Sequence, residues 1–370
     1  MQRKNEARWI ESRQRWQINV QAEGERRTFT SSVPGTKGKV AAERKADKWL
    51  DIRLVDENTR LEVMADTWIK NARKRCGKAY CDQYEKYMRL YIKPLIGKKR
   101  IGKVTEGDFQ NVIDTAYKER DLAEKTLKNI AGCLMAFLKY CRINKATTLV
   151  IENKLIIPHQ AKKGEKTILG ENDLKTLLTN SDTMLRGRVV SDPYIWMYRF
   201  MVTYGLRPGE NCALMNSDID GDIFSVRRAY NSDNELTDGK NNNARRIEKI
   251  SKTGQWIFDG QKQMLKSIGI SSVYIFPDIR DGSIVTQRTV RTYWQRYCKY
   301  HEIKDATTPY ELRHTFCSIN VEMPDYLKKQ VMGHSKNMDT NGTYGHKKLS
   351  DMQSIADYID GAIAPYSGTH

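Results

Sequence analysis

Hydrophobic and polar positions alternate near the start of the chain. Trp16, Ile18 and Val20 recur at period two, and GERRTFTSS follows across a turn signal at Gly24. Period two sends successive side chains to opposite faces, so a small antiparallel sheet is predicted. Residues 39–54 (KVAAERKADKWLDIRL) read instead as a helix that lays Ala42, Ala46 and Leu50 on that sheet. Together they predict a small basic module.

From Leu61 the period becomes helical. Leu61, Met64, Ala65 and Trp68 fall at i, i+3, i+4 and i+7, and further stripes follow at Tyr84, Tyr87 and Tyr91 and at Leu127, Ile130, Leu134, Phe137, Leu138 and Cys141. Thr105 followed by Glu106 and Asp108 marks another helix start. Residues 58–150 are therefore predicted to be an all-helical bundle, its tyrosine stripe serving as core rather than as a stacking surface. Residues 151–168, with Pro158 and a lysine cluster, suit an exposed linker. The remaining 200 or so residues mix helices with short strands. The most convincing strand pair lies between Ile223 and Ile250, interrupted by the polar turn DGKNNNA.

Charge narrows the partner. Sixty-three Lys and Arg against 45 Asp and Glu leave a net charge of +18, which points to a polyanion, most often nucleic acid. No apolar run approaches the roughly 20 residues that span a bilayer, and the N-terminus has no apolar stretch behind its charges. A cytoplasmic protein with no membrane partner is expected. The seven cysteines are odd in number and scattered, so reduced thiols are expected rather than a disulfide framework or a zinc site at Cys76 and Cys81.

Four places in the last segment concentrate chemistry. In TYGLRPGENCALMNSDID, Arg207 follows an apolar helix and a glycine, and Pro208 suits the first position of the next helix. Lys240 sits in the turn between the two strands. In TTPYELRHTF, Thr308, Pro309 and Glu311 read as a capping box, placing Tyr310 in the first turn and Arg313 one turn later. In VMGHSKNMDTNGTYGH, Gly333 ends a helix, His334 follows, and Tyr344 comes ten residues after His334. Taken singly, each has an ordinary structural explanation as a surface charge, a solvated imidazole or a turn residue. Their combination and order carry the reading.

GLRPGENCAL resembles the first arginine motif of the tyrosine recombinases, the family of phage and conjugative-transposon integrases. KNNNARRI resembles that family's β-hairpin lysine motif, with Lys240 and Arg246 spaced as that motif has them. YELRHTF resembles the second arginine motif, and GHS…TYGH the motif that carries the nucleophile. The resemblance extends to residues 58–150 as a core-binding domain and to residues 1–53 as a three-stranded arm-type DNA-binding domain.

The resemblance implies a role for each residue. Tyr344 attacks a backbone phosphate and becomes 3′-phosphotyrosyl-linked to DNA. Arg207 and Arg313 clamp the non-bridging oxygens, for which a planar guanidinium fork is suited. His334 adds a hydrogen bond to the same phosphate, and Lys240 protonates the departing 5′ oxygen. Glu210 orients the arginine side. No cofactor or metal is implied. Tyr310 departs from the pattern, because the family usually has His there. A tyrosine can donate a hydrogen bond but cannot shuttle protons at neutral pH as His does.

The expectation is a multidomain, mainly α-helical recombinase. It comprises a β-sheet module over 1–53, a helical core-binding domain over 58–150, a linker over 151–168, and an α-rich catalytic domain with a small antiparallel sheet over 169–365. Its expected partners are double-stranded DNA at core and arm sites and three further copies of itself in a tetramer. DNA-bending or directionality factors are candidate additional partners. The C-terminal stretch LSDMQSIADYIDGAIA reads as a helix with Met352, Ile355, Ile359 and Ile363 on one side, to be buried in its own domain or docked on a neighbouring protomer. Two rival functions are a type IB topoisomerase-like relaxing enzyme and a non-catalytic DNA-binding regulator.

Overall fold

The period-two stretch forms the central strand of an antiparallel sheet. The structure, a computed structural model, describes residues 5–22, 25–53, 57–238, 245–304, 308–333 and 349–367. In it β1 (Arg8–Ile10), β2 (Arg15–Ala22) and β3 (Glu25–Ser31) run in the order β1-β2-β3, with Trp9 opposite Trp16 and Ile18 opposite Phe29. Helix α1 (Gly35–Arg53) covers one face. Ile18, Val20, Ala42 and Ala46 are buried together as expected, and Trp49 completes the helix face. The side chain of Leu50 lies outside the described residues.

The chain divides into two compact units, Met1–Gly164 and Glu165–His370. The helical part of the first unit contains α2 (Leu61–Ala72), α3 (Lys78–Tyr87), a π-helical segment (Met88–Ile92), α4 (Lys93–Ile96), α5 (Glu106–Arg120) and α6 (Glu124–Ile143). Each apolar stripe read from the sequence is buried here, and Tyr87 with its partly buried neighbours Tyr84 and Tyr91 packs into the core. Thr105 and Asp108 close a reciprocal capping box at the start of α5. The π segment was not anticipated. It runs into α4, whose Pro94 has no N–H to give to the preceding turn.

The exposed linker expected over 151–168 is exposed only in part. Ile151, Leu155 and Ala161 are buried in the helical core, and the Gln110 side chain both donates to and accepts from the backbone of Ile156, each at 2.9 Å. The cause is apolar: these side chains gain more from the core than the lysine cluster beyond them gains by freeing the segment.

The second unit is built around α8. In chain order its first part runs α7 (Glu171–Thr179), β4 (Asp182–Leu185), β5 (Arg188–Ser191), α8 (Ile195–Tyr204), α9 (Pro208–Cys212), β6 (Ile219–Asp220), β7 (Ile223–Val226), β8 (Ala229–Tyr230), β9 (Leu236–Thr237) and β10 (Arg246–Lys249). It continues through α10 (Lys252–Ser267), α11 (Gln287–Tyr300), α12 (Tyr310–Ile319), α13 (Asp325–Met332) and α14 (Leu349–Ile363). All of α8 but Trp196 is buried, as a helix apolar on every side requires.

The strand pair expected between Ile223 and Ile250 forms as β7 against β10, with Val226 opposite Arg246, and β6 completes that sheet. The β4–β5 hairpin was not foreseen. Its turn places Arg186 and Gly187 at φ 50° and 76°, a left-handed pair that suits a tight hairpin. Ile355, Ile359 and Ile363 of α14 are buried in this unit's own core. Asp360 accepts from the backbone N–H groups of Lys252 and Thr253, tying α14 to the start of α10. Among the described residues no helix is long and apolar enough to cross a membrane.

Candidate active site

The arginine cluster grows out of helix ends. Helix α8 stops at Gly205, whose φ of +60° is a left-handed cap. A Cβ there would lie 2.6 Å from the Phe316 ring, so only glycine lets α12 pack this closely on α8. Two residues on, Arg207 caps α9, and Pro208 occupies the first helical position as the sequence predicts. Helix α13 ends at Gly333, also left-handed at φ +61°.

Helix C-termini leave carbonyls without partners and carry partial negative charge. Arg313, 2% exposed, satisfies two of them: Nη1 donates to the Gly205 carbonyl at 2.6 Å and Nη2 to the Met332 carbonyl at 2.7 Å. Arg207 reaches the same place, donating from Nη1 to the Met332 carbonyl at 3.4 Å and from Nη2 to the Gly333 carbonyl at 3.5 Å. The two arginines therefore meet at the end of α13.

Glu210 ties the cluster together. Its Oε1 accepts from Arg207 Nη1 at 2.7 Å, and its Oε2 accepts from the Arg207 backbone N–H at 3.0 Å and from Arg246 Nη2 at 2.9 Å. Burial works to raise its pKa, but the neighbouring Arg246 and Arg207 outweigh it and hold the carboxyl at about 2. Burial, with Arg207 adding to it, pushes the Arg313 guanidinium down to about 10, so it stays charged at neutral pH. The Arg207 and Arg246 guanidinium groups share the Glu210 carboxylate, and the Arg313 guanidinium, held by two carbonyls, feels its charge. The surplus positive charge, held on a protein framework, is what an anion with several oxygens would neutralise.

Arg207, Glu210 and Arg313 are thus brought together. Tyr310 is 41% exposed on α12, one turn before Arg313, with its ring edge-on to His314 at 5.3 Å. The imidazole beside Arg313 is therefore that of His314, whose pKa burial lowers, with Lys166 and Arg313 contributing. One half of the expected capping box is in place, the Thr308 N–H donating to the Glu311 carboxylate at 2.9 Å, and Pro309 has the helical angles of a first-turn residue. Lys240, His334 and Tyr344 lie outside the described residues.

Sequence reasoning assigned no role to Arg246. Its signal was present, since it shares the lysine motif with Lys240, but nothing in that spacing shows that the side chain turns inward to Glu210, where it is 4% exposed. All seven cysteines are free. Burial raises the Cys133, Cys141 and Cys212 thiols to about 12, which leaves them inert.

Comparison with known proteins identifies the family and the fold. Residues 167–350 match the model of the phage integrase family, and residues 61–117 match that of the phage integrase N-terminal SAM-like domain. No curated protein matches by sequence. The Tn1549 transposon integrase, solved with a circular intermediate DNA, superposes with a TM-score of 0.63 at 18% identity, covering 80% of this chain and 98% of that one. A lambda integrase tetramer bound to a Holliday junction gives 0.59 at 14%, covering 94% and 100%. XerH site-specific recombinase on a palindromic difH substrate gives 0.51 at 13%, covering 81% and 82%. At these identities the likeness is one of fold. Since one family model spans the arginine cluster and the other lies in the helical part of the first unit, the chain belongs to the phage integrase family and is a tyrosine-type site-specific recombinase.

Proposed function

We propose that this recombinase cuts and rejoins double-stranded DNA of a mobile element through a 3′-phosphotyrosyl intermediate. The observation that carries the reading is the cluster of Arg207, Arg246 and Arg313 beside the buried carboxylate of Glu210, which accepts from the first two. Arg207 and Arg313 bind the non-bridging oxygens of the scissile phosphate, and Glu210 fixes the orientation of Arg207. The Tyr344 phenol gives up its proton to water and its oxygen bonds to phosphorus. The bond from phosphorus to the 5′ oxygen breaks, and Lys240 supplies the proton to that oxygen, with His334 donating to the same phosphate. Reversal by a 5′-hydroxyl of the partner strand rejoins the DNA. The roles of Lys240, His334 and Tyr344 rest on the motifs that contain them.

The module over 1–53 binds a separate arm site, residues 58–150 and 169–365 grip the core site, and four copies assemble on two duplexes. The DNA complexes of the Tn1549 and lambda proteins and the lambda tetramer support this arrangement. A relaxing enzyme has no use for an arm-site module, and a regulator has no use for the buried arginines.

The test is a nicked suicide substrate. The wild-type chain should form a covalent protein–DNA adduct, and Tyr344→Phe should bind equally but form none. An adduct in the Phe variant would overturn the assignment.

A further inference from the structure

The described residues on either side of the Lys240 segment are tied down, one to α9 and the other to α11. On the outgoing side, Arg246 at the start of β10 donates to Glu210 of α9. On the incoming side, Gln287, the first residue of α11, donates from Nε2 to the Tyr230 carbonyl of β8 at 2.5 Å. Gly209 of α9 lies against this second contact. A Cβ at 209 would lie 2.6 Å from the Tyr230 carbonyl oxygen and 2.8 Å from Gln287 Nε2. Three segments distant in sequence therefore meet in a space that admits no side chain between them.

The Thr286 hydroxyl accepts from the Thr289 N–H and caps α11, which leaves the Gln287 amide free for this use. Beyond Tyr230 the β8–β9 ladder begins, with Tyr230 opposite Leu236 and the Thr237 hydroxyl donating to the Ala229 carbonyl at 3.1 Å. The Gln287 contact thus sets where that hairpin leaves α9, the helix that begins just after Arg207.

We infer that Gln287 is a positioning residue for the leaving-group step: by fixing the Tyr230 carbonyl against Gly209 it sets the start of the chain that brings Lys240 to the 5′ oxygen. This rests on the reading of Lys240 as the general acid. Among the described residues Gln287 bonds to Tyr230 and not to Arg207, Arg313 or Glu210, so its loss should spare phosphate binding and nucleophilic attack and impair protonation alone.

Leaving-group chemistry separates these steps. In the ordinary substrate the bond to the 5′ oxygen breaks and that oxygen takes a proton from Lys240. With sulfur at the bridging position the departing group is a thiolate, whose conjugate acid resembles a Cys thiol at about 8.5, and it leaves without a proton. Single-turnover cleavage by the full chain is measured on both substrates for the wild type, Lys240→Ala and Gln287→Ala.

Gln287→Ala should slow cleavage of the oxygen substrate by roughly 10- to 100-fold, less than the about 10²–10⁴ that a whole general acid supplies, and cleave the sulfur substrate at near the wild-type rate. The oxygen-to-sulfur rate ratio is taken within one protein sample, so partial unfolding lowers both rates and leaves it unchanged. Gln287→Ala slow on both substrates, or fast on both, would overturn the inference while Lys240→Ala still recovers on sulfur. Lys240→Ala slow on both would overturn the Lys240 reading itself, and the inference with it.

Discussion

Replacing Glu210 by Gln tests whether one buried carboxylate holds the arginine cluster. The amide is nearly isosteric, yet it offers one acceptor oxygen where the carboxylate offers two, and both of those are engaged. Whichever way the amide turns, its NH₂ faces a guanidinium donor. The side chain is 3% exposed, so solvent does little to screen the loss. Folding takes the Glu210 pKa from 4.5 to about 2. At about 1.4 kcal/mol per pH unit this corresponds to roughly 3 kcal/mol favouring the charged form, at the low end of the ~3–5 kcal/mol found on breaking buried ion pairs.

Because folding lowers this pKa, the stabilisation is complete above about pH 4.5 and is lost as pH falls towards 2. Urea unfolding of the second unit, followed in wild type and Glu210→Gln at pH 7 and pH 3, should show a gap of roughly 3 kcal/mol that narrows to less than half at the lower pH. A gap below ~1 kcal/mol at pH 7, the worth of an exposed pair, would refute the reasoning. So would an equal gap at both values.

Tyr310→Phe keeps the ring against His314 and removes only the hydroxyl. Suicide-substrate cleavage should slow by about 10- to 100-fold, against the roughly 10²–10³ typical of losing a main oxyanion donor, which is expected for Arg313→Ala. A wild-type rate would leave Tyr310 a packing role alone. Deletion of residues 1–53 removes a module whose buried core is drawn entirely from within it, so core-site cleavage should survive while arm-site binding is lost. Filter binding across a salt series should show the full chain losing affinity by roughly 0.9 log units per tenfold salt for each phosphate neutralised, and normal arm-site binding by the truncated chain would assign the module another job.

Much of the fold was legible because periodicity reports burial directly. The stripes at Leu61 and Leu127 and the alternation at Trp16 mark the faces that are buried. The β4–β5 hairpin has little signal in the sequence, because two four-residue strands give too little alternation and the Arg186–Gly187 turn alone marks it. The linker misled for the opposite reason: Pro158 and the lysines outweighed three apolar residues spaced without a helical or strand period. At the site, motif order brought Arg207 and Arg313 into view. Their meeting at the Met332 carbonyl, and the inward turn of Arg246, depend on where α13 and β10 end in space. No local pattern encodes that.

The Met332 carbonyl has one more consequence. A free arginine side chain has about 2 kcal/mol of rotamer entropy to lose on being fixed. Arg207 and Arg313 have given up much of that freedom already, in capping the end of α13 and the end of α8. On the proposed reading, in which this pair binds the scissile phosphate, the phosphate need not order it, and little rearrangement is left for the moment of reaction. The same donors that close two helices would then hold the proposed clamp ready between turnovers.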